Sequence, residues 1–190
     1  MPSHDRLTAV GAALLVVDLQ ERLVPLIKFA PLVIANSARL IRAAKAIAIP
    51  VFATEQYPKG LGPTVSPLLE LLPERFAKNT FHALGATEMR NNLAASDVRH
   101  VALCGFEAHV CIAQTAIELL NQGYRVQVPA DGVASRSKMD WEFGLRRMER
   151  AGVVITTVEA ILFEWIESSD HPAFKRISAL IKDFSAPSPQ

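Results

Sequence analysis

The sequence has few cysteines. Its 190 residues include only Cys104 and Cys111, and their spacing, which crosses from an apolar run into a helical pattern, is unfavourable for a disulfide. Two cysteines do not make a disulfide framework of the kind that small secreted proteins use. We therefore expect both residues to be free thiols in a reducing compartment.

An excess of positive charge is also lacking. Lys and Arg together number 20, Asp and Glu number 19, and the formal net charge is +1. Binding to the phosphate backbone of nucleic acids, or to anionic lipid, draws on a surplus of positive charge. The sequence therefore predicts neither nucleic acid nor a membrane surface as a partner.

Long hydrophobic runs are absent as well. The first apolar run ends at Asp18, well short of the roughly 20 residues that cross a bilayer. The N-terminal residues also lack a basic leader that ends in a small-residue cleavage site. We expect a cytoplasmic protein.

Glycine-rich phosphate-binding motifs are missing. No GxGxxG follows the first apolar run, where DLQER stands, and no GxxxxGK[ST] occurs anywhere. Those motifs supply the tight turn and the backbone N–H groups that hold a diphosphate. No nucleotide cofactor is predicted, and nothing else in the sequence indicates a cofactor.

The sequence does contain an alternation of strand and helix patterns. Half of the residues are hydrophobic, enough for a large core. The alternation predicts a single α/β domain over residues 1–190, with flexible ends at 1–10 and 185–190. We expect a doubly wound, Rossmann-like sheet of six parallel strands in the order 3-2-1-4-5-6, with helices on both faces. The predicted strands are 12–17, 51–54, a short segment near Lys78, 101–106, 125–128 and 153–157.

Short sequence motifs also predict where two helices begin and where one long loop lies. Thr87 is a candidate N-cap, and Ser137 and Asp140 have the spacing of a capping box. Residues 55–67 hold three prolines and two glycines, which predicts a long structured loop after the second strand.

The chemistry is expected at the carboxyl ends of the strands, beside the point where the strand order reverses. Asp18 ends the first strand, Lys78 accompanies the third, and Cys111 follows the fourth near a helix start. We interpret Cys111 as a nucleophile whose proton Asp18 accepts, with Lys78 and the helix start favouring the thiolate.

These three residues suffice for hydrolysis through a thioester. Asp18 would pass the proton to a leaving nitrogen and then activate the water that cleaves the thioester. Backbone N–H groups of Cys111 and of a residue about one turn earlier would bind the oxyanion.

The candidate substrate-binding residues lie in the loops around this crevice, and several have a structural alternative. Phe81 and Phe106 either line an apolar pocket or pack in the core, and the segment after the second strand either shapes the pocket or anchors its own loop. Cys104 is expected in the core, and single histidines such as His82 and His109 are more typical of structural roles than of metal ligation. The substrate-binding candidates are Gln20, Glu55, Gln56, Tyr57, Phe81 and Phe106.

Three ordered motifs resemble a known family. VVDLQ, AKNTF and GFEAHVC are similar to motifs of the isochorismatase-like cysteine hydrolases, and the likeness covers roughly residues 12–183. TEQYPKGLGPT, LCGFEAHVCI and HPAFKRISALIK resemble the isochorismatase-domain-containing subgroup. The resemblance implies a catalytic triad of Asp18, Lys78 and Cys111.

The resemblance carries further expectations. It implies a non-proline cis peptide between Phe106 and Glu107, which would place the N–H of Glu107 in the oxyanion hole beside that of Cys111. It also implies a homo-oligomer, for which apolar surface on the late helices is the candidate interface.

The sequence departs from its relatives at two places. Metal-dependent nicotinamidases have an Asp-x-His pair after the second strand, where this chain has Glu55, Gln56 and Tyr57, so no metal is expected. Ala108 stands before His109, where relatives often carry threonine.

The main hypothesis is a metal-free cysteine hydrolase that opens a C–N bond of a small amide-like substrate through a thioester at Cys111. One alternative is isochorismatase-type hydrolysis of a vinyl ether, in which Asp18 and Lys78 handle protons and no thioester forms. Another is a non-catalytic scaffold or interaction protein of the same fold.

Overall fold

A computed structural model describes residues 6–182. The expected flexible ends lie partly outside the described residues, at 1–5 and 185–190. Within residues 6–10, the Leu7 side chain is buried and the Thr8 carbonyl lies 2.7 Å from Nε2 of His100, whereas Val10 is exposed.

The strands form one parallel sheet in the order β3-β2-β1-β4-β5-β7, which confirms the predicted fold class and strand order. The sixth predicted strand corresponds to β7. The additional strand, β6, has two residues and pairs with the end of β4, and a segment this short has no pattern that a sequence can show. The strands are β1 Ala12–Val17, β2 Val51–Gln56, β3 Arg75–Lys78, β4 His100–Phe106, β5 Arg125–Pro129, β6 Val133–Ala134 and β7 Val154–Thr156.

Helices cover both faces of the sheet. Alternate residues of β1 point to opposite sides: Leu14 and Val16 pack with α1, α7 and α8, and Leu15 and Val17 pack with α4, α5 and α6. None of the helices within residues 6–182 combines the length and hydropathy needed to cross a membrane. The helices are α1 Ala30–Ala46, α2 Pro58–Leu61, α3 Ser66–Leu69, α4 Thr87–Ala94, α5 Ala113–Asn121, α6 Lys138–Ala151, α7 Val158–Ile166 and α8 Phe174–Lys182.

One of the two predicted helix starts is confirmed. Ser137 is the N-cap of α6, and its Oγ accepts a hydrogen bond from the Asp140 N–H at 3.1 Å. Thr87 is instead the first residue of α4, and Ala86 occupies the cap position without a side-chain hydrogen bond.

Two glycines allow the close packing that positions the loop after β4. Gly105 has φ +132°, and a Cβ at this position would overlap the carbonyl of Val17, its partner on β1. Gly144 lies in α6, and a Cβ there would come within 2.9 Å of Cα of His109. The end of β4 therefore lies directly against the end of β1, with α6 packed on the turn that follows.

Candidate active site

Three of the predicted site residues meet at the carboxyl edge of the sheet. Nζ of Lys78 lies 2.7 Å from Oδ2 of Asp18 and 4.0 Å from Sγ of Cys111. Lys78 is the last residue of β3, Asp18 follows β1, and Cys111 lies in a π-helical turn, Ala108–Ile112, that leads from β4 into α5. The structure therefore brings together the carboxylate, the ammonium group and the thiol.

Asp18 is held in a strained and buried position. Its φ is +54°, in the left-handed region that is uncommon outside glycine and frequent at functional sites. Oδ1 accepts a hydrogen bond from Oγ1 of Thr54 at 2.9 Å, and Oδ2 accepts from Lys78. Both carboxylate oxygens thus have donors, which a buried charge requires.

Lys78 is equally enclosed. Its side chain is fully buried, and besides Asp18 its ammonium group donates to Oε1 of Gln56 at 2.7 Å. The backbone carbonyls of Thr80 and Phe81 lie 3.3 and 3.4 Å from Nζ. The ammonium group is therefore fixed in the crevice and is not a solvated surface charge.

Cys111 is a neutral thiol in this environment. Burial raises its pKa to about 12, and the negative charge of Asp18 and a hydrogen bond with that side chain act in the same direction. Lys78 lowers the pKa but does not outweigh them. This corrects the expectation of a stabilised thiolate: the thiol needs a base at the moment of reaction, and Asp18 is the carboxylate beside it.

The second cysteine lies in the core. Cys104 is completely buried in β4, on the sheet face covered by α1 rather than the face of Cys111. Burial raises its pKa to about 12. Cys104 has no access to the crevice.

The expected cis peptide is not present. The peptide between Phe106 and Glu107 is trans, as are all others in residues 6–182. The chain reverses here through positive φ angles at Gly105 and Glu107, +132° and +38°, which turn the backbone without isomerisation. The roles of the Glu107 and Cys111 N–H groups as oxyanion donors stay a prediction.

The Glu107 side chain is a feature that sequence reasoning missed. Its carboxylate is buried, with Oε2 3.3 Å from Nε of Arg136 and 3.8 Å from Nε2 of His109. Oε1 is buried without a hydrogen-bond partner, and the charge of Glu107 contributes to the raised pKa of Cys111. An acidic residue directly after a fully buried strand was the signal available in the sequence.

Two substrate-binding candidates instead anchor the loop after β2. Nε2 of Gln20 donates to the carbonyls of Gln56 and Gly62, at 3.0 and 2.7 Å, and its Oε1 accepts from the Gln56 N–H. Oε1 of Glu55 accepts from the N–H and the hydroxyl of Thr64, at 2.8 and 2.7 Å. For Glu55 this supports the loop-anchoring alternative that the sequence left open, whereas for Gln20 the anchoring role was not among the expectations.

Of the remaining substrate-binding candidates, three lie near Lys78 and one lies in the hydrophobic core. Gln56 positions Lys78, and the two aromatic residues Tyr57 and Phe81 are 55% and 54% exposed next to the backbone around Lys78. The Tyr57 N–H donates to the Lys78 carbonyl. Phe106 is fully buried among the residues packed under α1, so core packing, the alternative open from the sequence, describes its position.

No cluster of three or more His, Cys, Asp or Glu side chains within residues 6–182 has an arrangement that could hold a metal ion. At the position of the nicotinamidase Asp-x-His pair, Glu55 is engaged by Thr64 and Gln56 by Lys78.

Sequence comparison identifies relatives over nearly the whole chain. The family model of the isochorismatase domain matches residues 12–160. The chain is 40% identical over 181 residues to isochorismatase domain-containing protein 2 of Danio rerio, covering 95% of this chain and 92% of the relative. The human protein of that name is 35% identical over 182 residues, covering 96% and 88%.

Solved structures share the fold. A Caenorhabditis elegans protein described as MAR1 ribonuclease superposes with a TM-score of 0.90 at 43% identity, covering 97% of this chain and 95% of that chain. The YcaC gene product of Escherichia coli, described as an octameric hydrolase of unknown specificity, superposes with a TM-score of 0.85 at 23% identity, covering 95% and 91%.

Proposed function

Because the chain belongs to the isochorismatase domain family, we propose that it is a cysteine hydrolase that opens a C–N bond of a small amide-like substrate. The observation that carries this proposal is the buried Lys78–Asp18 ion pair beside the Cys111 thiol. This arrangement supports the proposal because a thiol, a carboxylate and an ammonium group lie in contact, and these are the groups that a nucleophile, its base and a partner for that base require.

The first step forms the thioester bond. Asp18 takes the proton of the Cys111 thiol as Sγ attacks the carbonyl carbon, and the carbonyl oxygen becomes an oxyanion. Because the thiol is neutral at rest, attack and proton transfer are coupled. Backbone N–H groups of Cys111 and Glu107 are the proposed donors to the oxyanion, and Lys78 holds the Asp18 carboxylate in position.

The second step releases the amine and then the acid. Asp18 passes its proton to the leaving nitrogen as the C–N bond breaks, which leaves a thioester on Cys111. Asp18 then takes a proton from water, whose oxygen attacks the thioester carbon. The C–S bond breaks, the proton returns to sulfur, and the sum of the steps is amide plus water giving acid plus amine.

Isochorismatase-type cleavage of a vinyl ether uses the same Asp18–Lys78 pair for proton transfer without a covalent intermediate. The position of Cys111 favours the thioester route, because Nζ of Lys78 lies 4.0 Å from Sγ of Cys111 and 2.7 Å from the Asp18 carboxylate, which brings the thiol and the base together. Trapping of an acyl adduct on Cys111 would support that route.

A scaffold protein of the same fold has no need of the buried ion pair. Removing two charges from water costs several kcal/mol per ion before their attraction is counted. The strained backbone of Asp18 adds to that cost. Both features are typical of a site maintained for chemistry.

The test is a screen of small amides, ureides and isochorismate with the wild type, Cys111→Ala and the matched variant Cys104→Ala. Cys111→Ala is expected to abolish amide turnover while circular dichroism shows an intact fold, and Cys104→Ala is expected to retain turnover. Intact mass spectrometry of quenched reactions is expected to show an acyl adduct on the wild type only. Full amide turnover by Cys111→Ala would refute the nucleophile assignment.

The homo-oligomer also remains a proposal. The apolar side chains of α7 and α8 are largely buried in this chain's own core, with Ile161, Trp165 and Ile177 at most 2% exposed. Phe163 is the large apolar residue that these late helices expose, at 41%. Light scattering of the purified protein measures the number of subunits directly, and a monomer at micromolar concentration would contradict the proposal.

A further inference from the structure

A cavity lies beside the turn that follows β4, since Ser135 and Arg136 of its lining contact His109 and Glu107 of that turn. It has a volume of about 510 Å³ and is enclosed by the start of α1, the segment from residue 130 to β6, and the start of α6. Asp18, Lys78 and Cys111 are not among its lining residues. A volume of this size is typical of pockets for small organic ligands.

The walls of the cavity are apolar on two sides. Phe29, Leu32 and Val33 form one side, at the start of α1, and Trp141 of α6 forms the other. The indole N–H of Trp141 donates to the carbonyls of Ala130 and Val133, at 3.2 and 3.1 Å. These bonds hold the indole ring in place, so a ligand would not have to order this side chain on binding.

Positive charge dominates the rim. Lys28, Arg136 and Lys138 line the cavity, together with the carboxylate of Asp131. Both oxygens of the Asp131 carboxylate have partners within the protein: Oδ1 accepts a hydrogen bond from the Val158 N–H at 2.8 Å, and Oδ2 lies 3.3 Å from Nδ2 of Asn36. The lining therefore holds three cations against one carboxylate, and two of these cations, Arg136 and Lys138, have partners outside the lining in Glu107 and Glu142.

The cations are accessible to a ligand. The Lys138 side chain is 80% exposed, and its ion pair with Glu142 spans 3.7 Å, a surface contact of small energy. The Arg136 side chain is 58% exposed and contacts Glu107 through Nε at 3.3 Å, and the two terminal nitrogens of a guanidinium group are further donors. Nζ of Lys28 lies 5.7 Å from the centre of the Phe29 ring, at the edge of the apolar wall.

We propose that this cavity binds a small organic anion with a flat apolar body. The body packs against Phe29, Leu32 and Trp141, and the anionic group is held by Lys28 and Arg136 at the rim. Charge-assisted hydrogen bonds to a carboxylate suit the planar guanidinium of Arg136. The inference concerns a site separate from Cys111 and does not depend on the proposed hydrolase activity.

The first measurement is titration of the purified protein with 2-naphthoate by isothermal calorimetry. Saturable binding with one site per chain is expected, and the uncharged 2-naphthylmethanol is expected to bind about tenfold more weakly, a difference of about 1.4 kcal/mol. Equal binding of acid and alcohol, or no binding of naphthoate, would overturn the proposal. A cavity filled by a second copy of the chain would also give no binding.

Paired variants locate the site. Lys28→Gln and Arg136→Gln are each expected to weaken naphthoate binding about five- to tenfold. The matched controls are Lys45→Gln and Arg150→Gln, which change exposed cations in the last turns of α1 and α6. Controls that weaken binding as much as their partners would show nonspecific charge attraction and contradict the proposed site.

Alkylation of Cys111 separates this cavity from the reaction centre. Protein fully alkylated with iodoacetamide is expected to bind 2-naphthoate as tightly as untreated protein, because the thiol does not line the cavity. Loss of binding on alkylation would mean that naphthoate occupies the Cys111 crevice and would refute the inference, while leaving the proposed hydrolase function standing.

Discussion

Nζ of Lys78 lies 2.7 Å from Oδ2 of Asp18, and both side chains are at most 1% exposed. The two residues are 60 positions apart in the sequence and come from strand ends separated by β2. Each charge stabilises the other. If one partner is removed, the remaining charge is still buried away from water but no longer gains the attraction that offset the cost of burial.

Lys78→Met is expected to destabilise the protein by about 3–5 kcal/mol, because Asp18 is left buried and uncompensated. Urea unfolding measures the change. Lys45→Met, at an exposed site, is the control and is expected to stay within about 0.5 kcal/mol of the wild type.

The double variant Asp18→Asn with Lys78→Met is the second half of this experiment. It is expected to be more stable than Lys78→Met alone, since no unpaired charge remains. A double variant that loses the sum of the two single losses would show that the residues do not interact.

The reactivity of Cys111 is expected to follow its raised pKa. In a Cys104→Ala background, Cys111 is the single cysteine, and its pKa of about 12 means that the thiolate fraction rises about tenfold per pH unit from pH 7 to 10. The iodoacetamide rate is expected to rise likewise without a plateau. A plateau below pH 9 would contradict the neutral resting thiol.

Neighbouring carboxylates are expected to set that pKa in a definite order. Asp18 and Glu107 both raise the pKa of Cys111, and Asp18 is the larger cause. Asp18→Asn and Glu107→Gln are therefore both expected to lower the pKa and speed alkylation at pH 8, with the greater effect from Asp18→Asn. Glu118→Gln, on exposed surface contact with Gln122, is the control, and an inverted order would contradict the assignment.

Stability is expected to fall at high pH. Burial raises the pKa of Cys104 and Cys111 from 9.0 to about 12, so the folded state holds thiol protons that the unfolded chain has released between these values. Their stabilising contribution is fully present below pH 9 and is lost as the pH rises toward 12. Urea unfolding from pH 8 to 10.5 measures the slope, and Cys104→Ala is expected to reduce it.

Gly105→Ala is expected to disrupt the fold, because a Cβ would overlap the Val17 carbonyl where β4 meets β1. Gly123→Ala is the matched control: its φ is also positive, +87°, but nothing lies within 4 Å of the added carbon. The Gly123→Ala variant measures the cost of a positive φ alone, about 1–2 kcal/mol, without the overlap. Similar urea midpoints for the two variants would show that β4 can move away from β1.

Local sequence pattern determined the order of the elements and pointed to the candidate nucleophile. The unbroken apolar run of β1 requires burial on both sheet faces, and this predicts a central parallel strand. Residues at the ends of such strands share one edge, so Asp18 and Cys111 could be placed together from the sequence pattern, whereas the role expected for Lys78 rested mostly on the family resemblance. The N-cap at Ser137 could also be predicted from the sequence, because its hydrogen bond joins residues only three positions apart.

Only the tertiary structure decided the properties that depend on distant neighbours. The raised pKa of Cys111 follows from burial and from the charge of Asp18. The anchoring role of Gln20 follows from its contacts with residues 56 and 62. Each of these properties depends on several groups that are far apart in the sequence and meet only in the folded protein. Sequence pattern can bring a carboxylate and a thiol to one edge, but the low-dielectric surroundings that keep the thiol protonated arise only when the fold closes around them.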